Sequence, residues 1–230
     1  MRILILLSLI FSVNSAFANI VVNGTRVIYP ASNKETIVQL INNGNDPALV
    51  QSWIDDGDIN STPETANVPF LLSPPVIKVS GNAGQQLRIK KLPSSLPTDR
   101  ESIFYLNVLD IPPTPDNLQG QNTMQLAIKT RIKLFYRPTN LQSISENAIS
   151  TVEAKVENQG FRLTNTSPFY ITIANINDDK GQKVLSESLM IAPFSNVFAP
   201  AKSPVKQGKT YSLLYVDDFG AYKDKSIVAL

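Results

Sequence analysis

Short strand-like runs, separated by Pro, Gly, Asn and Asp, follow one another along most of the sequence. No segment shows the apolar period of 3.6 residues that is typical of an amphipathic helix. Strands at this spacing, with turn residues between them, are typical of β-sandwiches. We therefore expect an all-β fold. The runs are 20–30, 35–42, 48–54, 76–80, 85–91, 102–111 and 124–138, followed by 150–157, 161–165, 169–176, 188–193 and 210–218.

The strand series divides near Pro138, because a proline has no N–H with which to continue a β-ladder. The first series lies in 19–137, the segment 138–142 is interpreted as a linker, and the second series occupies 143–230. We expect two sandwich domains joined by this linker, the second of them shorter than the first.

Residues 1–18 have the layout of a secretory signal peptide. Arg2 forms a basic start, residues 3–13 are an apolar run, and residues 16–18 (AFA) match an A-x-A cleavage site. The apolar run is too short for an ordinary membrane span, which needs about 20 apolar residues. We expect the mature chain to begin at Asn19 and to be located outside the cytoplasm.

The sequence contains no cysteine and no histidine. These absences exclude a cysteine nucleophile, a CxxC redox pair, a thiolate metal site and a Ser-His-Asp triad. A catalytic site would have to rest on carboxylates, Lys, Ser or Tyr. The chain has 21 basic and 19 acidic residues; loss of Arg2 with the signal peptide leaves 20 against 19, a net charge of +1. This balance makes a weak case for nucleic acid as a partner.

The segment 124–138, MQLAIKTRIKLFYRP, alternates in polarity along its whole length. A period of two places successive side chains on opposite faces of a strand, so we interpret the segment as one long strand. Lys129, Arg131 and Lys133 share one face of that strand. Two interpretations of this face remain open on pattern alone. It is either a solvated basic face that deters edge-to-edge aggregation, or a site that receives an anion such as a carboxylate.

Three motifs in the first half of the chain together resemble the periplasmic pilus-assembly chaperones. They are LPTDRESIFYLNVLDIPP at 96–113, the long strand at 124–138 and GTRVIYP at 24–30. The second half matches this family more loosely, through NTSPFYITI at 165–173 and YVDDFG at 215–220.

The resemblance implies two immunoglobulin-like β-sandwich domains set at an angle, with no catalytic site, metal or cofactor. It implies a periplasmic protein that binds, folds and caps pilus or fimbrial subunits and delivers them to an outer-membrane usher. A homodimer that caps itself when no subunit is present is a further state that it implies. The short connection at 113–121 resembles the short-loop branch of the family. The alternative that stays open is an exported adhesion or scaffold module that binds a folded partner through its surface.

By resemblance, the long strand is lent to a subunit whose own sandwich lacks its last strand, the strand addition that chaperone–pilin complexes exemplify. Met124, Leu126 and Ile128 are the side chains expected to fill the groove of the subunit. In this family an Arg of the first strand and a Lys of the long strand bind the terminal carboxylate of the subunit. The matching positions here are Arg26 and Lys133.

The resemblance also implies an ion-pair network between the domains, formed by Glu101, Arg137 and Asp218. Such a network mainly fixes the interdomain angle. We expect it to add little net stability, because desolvation opposes the attraction between buried charges. Lys129 and Arg131 are expected to belong to an exposed face rather than to the carboxylate site.

Overall fold

The computed structural model describes residues 20–113 and 125–230. These two ranges contain sixteen β-strands and a 3₁₀ helix. No helix within them is long and apolar enough to cross a bilayer. The predicted signal peptide, residues 1–18, and Met124 of the predicted donor strand lie outside the described residues.

Nine strands form the first sandwich. They are β1 (Ile20–Val22), β2 (Arg26–Pro30), β3 (Thr36–Asn42), β4 (Ala48–Asp55), β5 (Phe70–Ser73), β6 (Val76–Val79), β7 (Gly84–Lys91), β8 (Ser102–Ile111) and β9 (Ile128–Arg137). One sheet has the order β1-β3-β7-β5 and the other β2-β9-β8-β4-β6. In β7, Leu87 and Ile89 are buried in the core while Arg88 and Lys90 are exposed. This alternation by side-chain parity explains why the two sheets pack face to face.

Seven strands and the 3₁₀ helix (Thr139–Thr151) form the second sandwich. The strands are β10 (Val152–Glu157), β11 (Gly160–Asn165), β12 (Ile171–Asn177), β13 (Leu189–Ile191), β14 (Ser195–Pro200), β15 (Thr210–Val216) and β16 (Tyr222–Val228). Their sheets have the orders β10-β11-β14 and β13-β12-β15-β16. Phe161, Leu163, Ile173 and Leu213 are buried between them in a core separate from that of the first sandwich.

The run 20–30, predicted as one strand, is two strands that belong to different sheets. β1 pairs antiparallel with β3, whereas β2 pairs parallel with β9. Between them Gly24 has a φ of 110°, a conformation that residues with a side chain rarely adopt, and here the chain turns from one sheet to the other. As a result, β2 lies beside β9 only from Arg26 onward.

The 3₁₀ helix was not predicted, because its sequence has no sustained apolar period. It begins directly after Pro138 and crosses the predicted linker at 138–142. Leu141, Ala148 and Ile149 are buried in the second core. We propose that the two domains divide at this segment and that the helix belongs to the second domain, since it packs on the second sandwich.

Three further strands were missed, namely β5, β14 and β16. β5 has four residues, and β14 ends at a proline. β16 leaves nearly all of its side chains exposed and carries a polar sequence, so it shows no apolar alternation. The prediction of an all-β fold with two sandwiches is nevertheless confirmed by the four sheets and the two cores.

Candidate functional site

Strand β9 is paired along only part of one edge. β8 covers its other edge from Ile128 to Tyr136. β2 pairs with it only from Lys133 to Arg137, because β2 begins at Arg26. Among the described residues no strand pairs with this edge of β9 between Ile128 and Ile132. The unpaired N–H and C=O groups of such an edge are a template for another strand.

The apolar face of β9 continues beyond the sandwich that buries its second half. Leu134 is buried in the first core, and Ile132 and Tyr136 pack against that core. Ile128 has the same parity but is 46% exposed, and Leu126 is 71% exposed. The predicted donor side chains that the structure describes therefore project apolar surface into solvent beside the open edge.

The predicted start of the long strand was wrong. The strand begins at Ile128, and residues 125–127 have no regular secondary structure. The reason is the length of the neighbouring strand, since the last pair that β8 makes with β9 joins Asp110 to Ile128. The alternation of polar and apolar residues therefore begins earlier in the sequence than the pairing of β9 with β8.

Arg26 and Lys133 lie opposite one another where the open edge ends. They are partners in the parallel register, so their side chains share one face of the sheet. Arg26 donates from Nη1 to the carbonyl oxygen of Val216 at 3.2 Å, and its guanidinium lies 5.8 Å from the ring centroid of Phe135. Its buried Nε has no hydrogen-bond partner among the described residues.

The two cations are partly desolvated and lack a direct counterion. Burial lowers the pKa of Lys133, and the nearby charge of Arg26 lowers it further. Burial also lowers the pKa of Arg26, although the charges of Asp218, Asp217 and Glu101 oppose this shift. Among the described residues no carboxylate lies within ion-pair distance of either side chain. An incoming carboxylate would relieve the repulsion between two like charges.

Glu101, Arg137 and Asp218 form the network that the resemblance implies. Arg137 donates from Nε to Glu101 at 2.8 Å, and from Nη1 and Nη2 to Asp218 at 2.7 and 2.9 Å. Glu101 also accepts the backbone N–H of Tyr170 at 2.9 Å. Since Arg137 ends β9 and Asp218 follows β15, the network connects the two sandwiches.

Ionisation of this network is set by burial and by its partners. Burial opposes the charged form of Arg137, but the hydrogen bonds to Asp218 and the charge of Glu101 raise its pKa. Burial raises the pKa of the Glu101 carboxyl, while Arg137 and the Tyr170 N–H oppose the shift.

Nowhere in 20–113 or 125–230 do three or more acidic side chains gather in a way that could hold a metal ion.

The expectation that Arg131 lies on an exposed face was wrong. Its Nη2 donates to Asp55 Oδ1 at 2.6 Å, and its guanidinium lies 3.7 Å from the ring centroid of Tyr105. Asp55 is buried and also accepts from Asn107 at 2.6 Å. Lys129 is exposed, and its Nζ donates to the carbonyl oxygen of Ile59 at 3.0 Å. Arg131 is thus neutralised within the first sandwich, which sequence could not show because Asp55 is 76 residues away.

A cavity of about 500 Å³ lies beside Arg26, between the two sandwiches. Arg26 and Arg137 form its first-domain wall. Its other wall belongs to the second sandwich and its 3₁₀ helix, and combines apolar and aromatic side chains with Asp217, Asp218 and Lys223. Sequence reasoning missed this wall, which includes Ile149, Phe169, Tyr170, Ile171, Tyr215 and Phe219.

Comparison with known proteins gives consistent matches along the chain. Residues 19–142 match the family model described as pili and flagellar-assembly chaperone, PapD N-terminal domain. Residues 147–227 match the model described as pili assembly chaperone PapD, C-terminal domain.

Individual relatives match over nearly their whole length. The probable fimbrial chaperone YehC of Escherichia coli K12 is 45% identical over 93% of this chain and 89% of its own. The chaperone protein HifB of Haemophilus influenzae is 42% identical over 94% of this chain and 90% of its own. The crystal structure of the CupB2 chaperone of Pseudomonas aeruginosa superimposes with a TM-score of 0.78 at 31% identity, covering 91% of this chain and all of that one.

Proposed function

Because this chain belongs to the family of pilus-assembly chaperones, we propose that it is a periplasmic chaperone that binds, folds and caps pilus or fimbrial subunits by strand donation. The observation that carries the proposal is the open edge of β9 from Ile128 to Ile132, with exposed Leu126 and Ile128 beside it. It brings unpaired backbone and apolar side chains to one place.

Strand donation uses both features of this edge. A subunit whose sandwich lacks its last strand exposes an apolar groove and unpaired backbone groups. The β9 backbone can satisfy those groups, while Leu126 and Ile128 enter the groove. Burial of each side chain contributes about 1.5–3 kcal/mol relative to exposure. No catalytic group is needed, because folding of the subunit on this template supplies the free energy.

Arg26 and Lys133 would anchor the terminal carboxylate of the subunit. The open edge runs from Ile128 up to these two residues, so a strand that lies along it and ends there must run parallel to β9. Charge-assisted hydrogen bonds are the stronger kind, and a fixed terminus sets the register. A slip by one residue would turn every side chain of the bound strand to the wrong face.

The proposal extends to delivery and to the unloaded state. The capped subunit is handed over to an outer-membrane usher, and the unloaded chaperone covers its own open edge in a homodimer. Support for the first step is the family itself, whose domain models describe pilus assembly. Support for the second is the aggregation hazard of an uncovered strand edge.

Co-expression in a periplasm tests the proposal. A subunit that lacks its last strand should be degraded alone, and should accumulate and co-purify with this protein when both are produced. An adhesion or scaffold module that binds folded surfaces would give no such protection. Degradation of every such fimbrial subunit tested, despite a folded chaperone, would overturn the proposal.

A further inference from the structure

The turn between β15 and β16 holds a phenylalanine at the mouth of the interdomain cavity. Phe219 is 89% exposed and lines that cavity. Single exposed apolar residues are common on protein surfaces and mean little by themselves. What distinguishes this one is the rigidity of its turn and its position beside the proposed carboxylate anchor.

The turn is held in place on both sides of Phe219. Asp217 accepts the backbone N–H groups of Phe219 and Ala221 at 3.0 and 2.9 Å, and pairs with Lys223 at 3.0 Å. Asp218 is bound by Arg137. An aromatic side chain on such a turn is presented to solvent at little further cost in backbone entropy.

Gly220 seats the tip of this turn against the first sandwich. Its φ is +83°, and a Cβ added to it would lie 2.2 Å from Oγ1 of Thr25. Only glycine allows this approach. Thr25 directly precedes Arg26, so the turn that carries Phe219 contacts the chain where β2 begins.

A strand added to the open edge of β9 would end beside this turn. The added strand and β2 would pair with the same edge of β9, one after the other, so they lie in line. The terminal carboxylate must turn toward the face that carries the side chains of Arg26 and Lys133. The last residue of the bound strand is therefore placed in the cleft, within reach of the cavity.

The cavity suits an aromatic side chain. Its volume of about 500 Å³ lies within the usual range for small-ligand sites. Tyr170, Tyr215 and Phe219 line it together with Ile149 and Ile171, which favours ring contacts. The lining also carries charged side chains, but Asp217 is paired with Lys223 and Asp218 with Arg137. Arg26 lies on the opposite, first-domain wall, so its guanidinium belongs both to the proposed carboxylate anchor and to the cavity lining.

We propose that this cavity is a subsite for the last side chain of the subunit, that it selects aromatic residues, and that Phe219 determines this preference. The inference rests on the proposed function, since it places the terminal carboxylate at Arg26 and Lys133. It adds a second criterion to that function, namely which residue carries the carboxylate.

Short fluorescent peptides of alternating Val and Thr, which differ only in the last residue, test this subsite. The last residue is Phe, Ala or Asp with a free carboxylate, or Phe with a terminal amide. Binding to the full mature protein is measured by anisotropy. The Phe-terminated peptide should bind about tenfold or more tightly than the Ala-terminated one, as expected for burial of an aromatic side chain. The Asp-terminated peptide should bind more weakly than the Phe-terminated one, because it brings no ring to the aromatic part of the lining.

Phe219→Ala should remove the preference for Phe while leaving the Ala-terminated peptide bound as before. Tyr222→Ala is the matched control, because Tyr222 is a 70% exposed aromatic on the same hairpin that does not line the cavity. Far-UV circular dichroism checks that both variants are folded.

The two ideas fail in different ways. If the free-acid peptides bind equally well whatever their last residue, the subsite is overturned while the anchor stands. If the amidated peptide binds as well as its free acid, or if no free acid binds, the anchor is overturned and the subsite with it. An unchanged preference in a folded Phe219→Ala variant assigns the selectivity to other residues and overturns the role of Phe219.

Discussion

At the scale of single residues, chemistry in the cleft depends on which cations already have partners. Arg131 and Arg137 are held by buried carboxylates, whereas Arg26 and Lys133 meet no carboxylate within the described part of the chain. Residues that carry the same charge in the sequence therefore differ, in the folded protein, in their ability to bind an anion. Two predictions follow from this difference.

Arg26→Ala or Lys133→Ala should leave both sandwiches folded but abolish stable capture of a subunit. Removing one partner of a desolvated charge pair costs about 2–5 kcal/mol of binding. Melting temperature and subunit pull-down are measured on the same preparations. Lys129→Ala is the matched control, because Lys129 is exposed and lies on the same strand. Normal pull-down by a folded variant that combines Arg26→Ala with Lys133→Ala would refute the carboxylate anchor.

Subunit capture should weaken at a lower alkaline pH than it would if Lys133 had the pKa of an ordinary lysine. In the free protein burial and Arg26 lower the pKa of Lys133 from 10.5, whereas a bound carboxylate would raise it again. Affinity is therefore complete at pH values below the lowered pKa and falls as the pH rises through it. Lys133→Arg should move this loss to higher pH, because guanidinium stays protonated. An identical alkaline profile for both proteins, measured by titration of affinity, would contradict the assignment.

At the scale of the element, the side chains on one face of β9 have different roles in the two halves of the strand. From Ile132 onward its apolar side chains pack on the first core, and before that point they are exposed beside the open edge. Which task a residue performs depends on whether β2 and the facing sheet cover it. Leu126 and Leu134 have the same chemistry but opposite burial.

Leu126→Glu combined with Ile128→Glu should leave the free protein folded and destroy subunit binding. Both side chains are exposed in the free protein, but in the complex two charges would have to enter an apolar groove unpaired. Circular dichroism and pull-down are compared with Gln125→Glu combined with Lys129→Ala on the other parity, which should bind almost normally. Leu134→Glu should instead unfold the first sandwich, since Leu134 is fully buried. Normal binding by the folded Leu126/Ile128 double variant would exclude strand donation.

At the scale of the whole molecule, several contacts join the two sandwiches, among them those of Arg137 and a contact between two aromatic rings. Arg137 binds Glu101 on its own side and Asp218 on the other, and Phe135 lies 5.7 Å from Tyr170 between ring centroids. The relative placement of Arg26 and the Phe219 turn depends on this junction.

Arg137→Ala should destabilise the protein by about 3–5 kcal/mol, because it leaves Glu101 buried without its counterion. Urea unfolding measures the loss, and Asp218→Asn is the control, expected to cost less because Asp218 is partly exposed. Burial already raises the pKa of Glu101, so in the variant this carboxyl should become neutral as the pH falls. The destabilisation should therefore shrink at acidic pH. Equal unfolding midpoints for the two variants at neutral pH would contradict this account of the junction.

Local stereochemistry was sufficient for much of this molecule. A strand-like run between turn residues located β8, alternation located most of β9, and Pro138 ended β9, because these signals are properties of the local chain. The family motifs supplied Arg26 and Lys133 as the candidate anchor. The extent of the open edge was different, since it depends on where β2 begins and β8 ends, two boundaries set by pairing partners rather than by β9 itself.

Contacts between residues far apart in sequence lay beyond any local pattern. Arg131 looked as available as Lys133 until folding brought Asp55 to it from 76 positions away. The cavity combines Arg26 with a turn about 190 positions later, and Val216 contacts Arg26 directly. Periodicity reports which face of an element is buried, but it carries no information about the partner that buries it. Which cations stay available, and whether Phe219 borders them, was therefore decided by packing of one sandwich against the other.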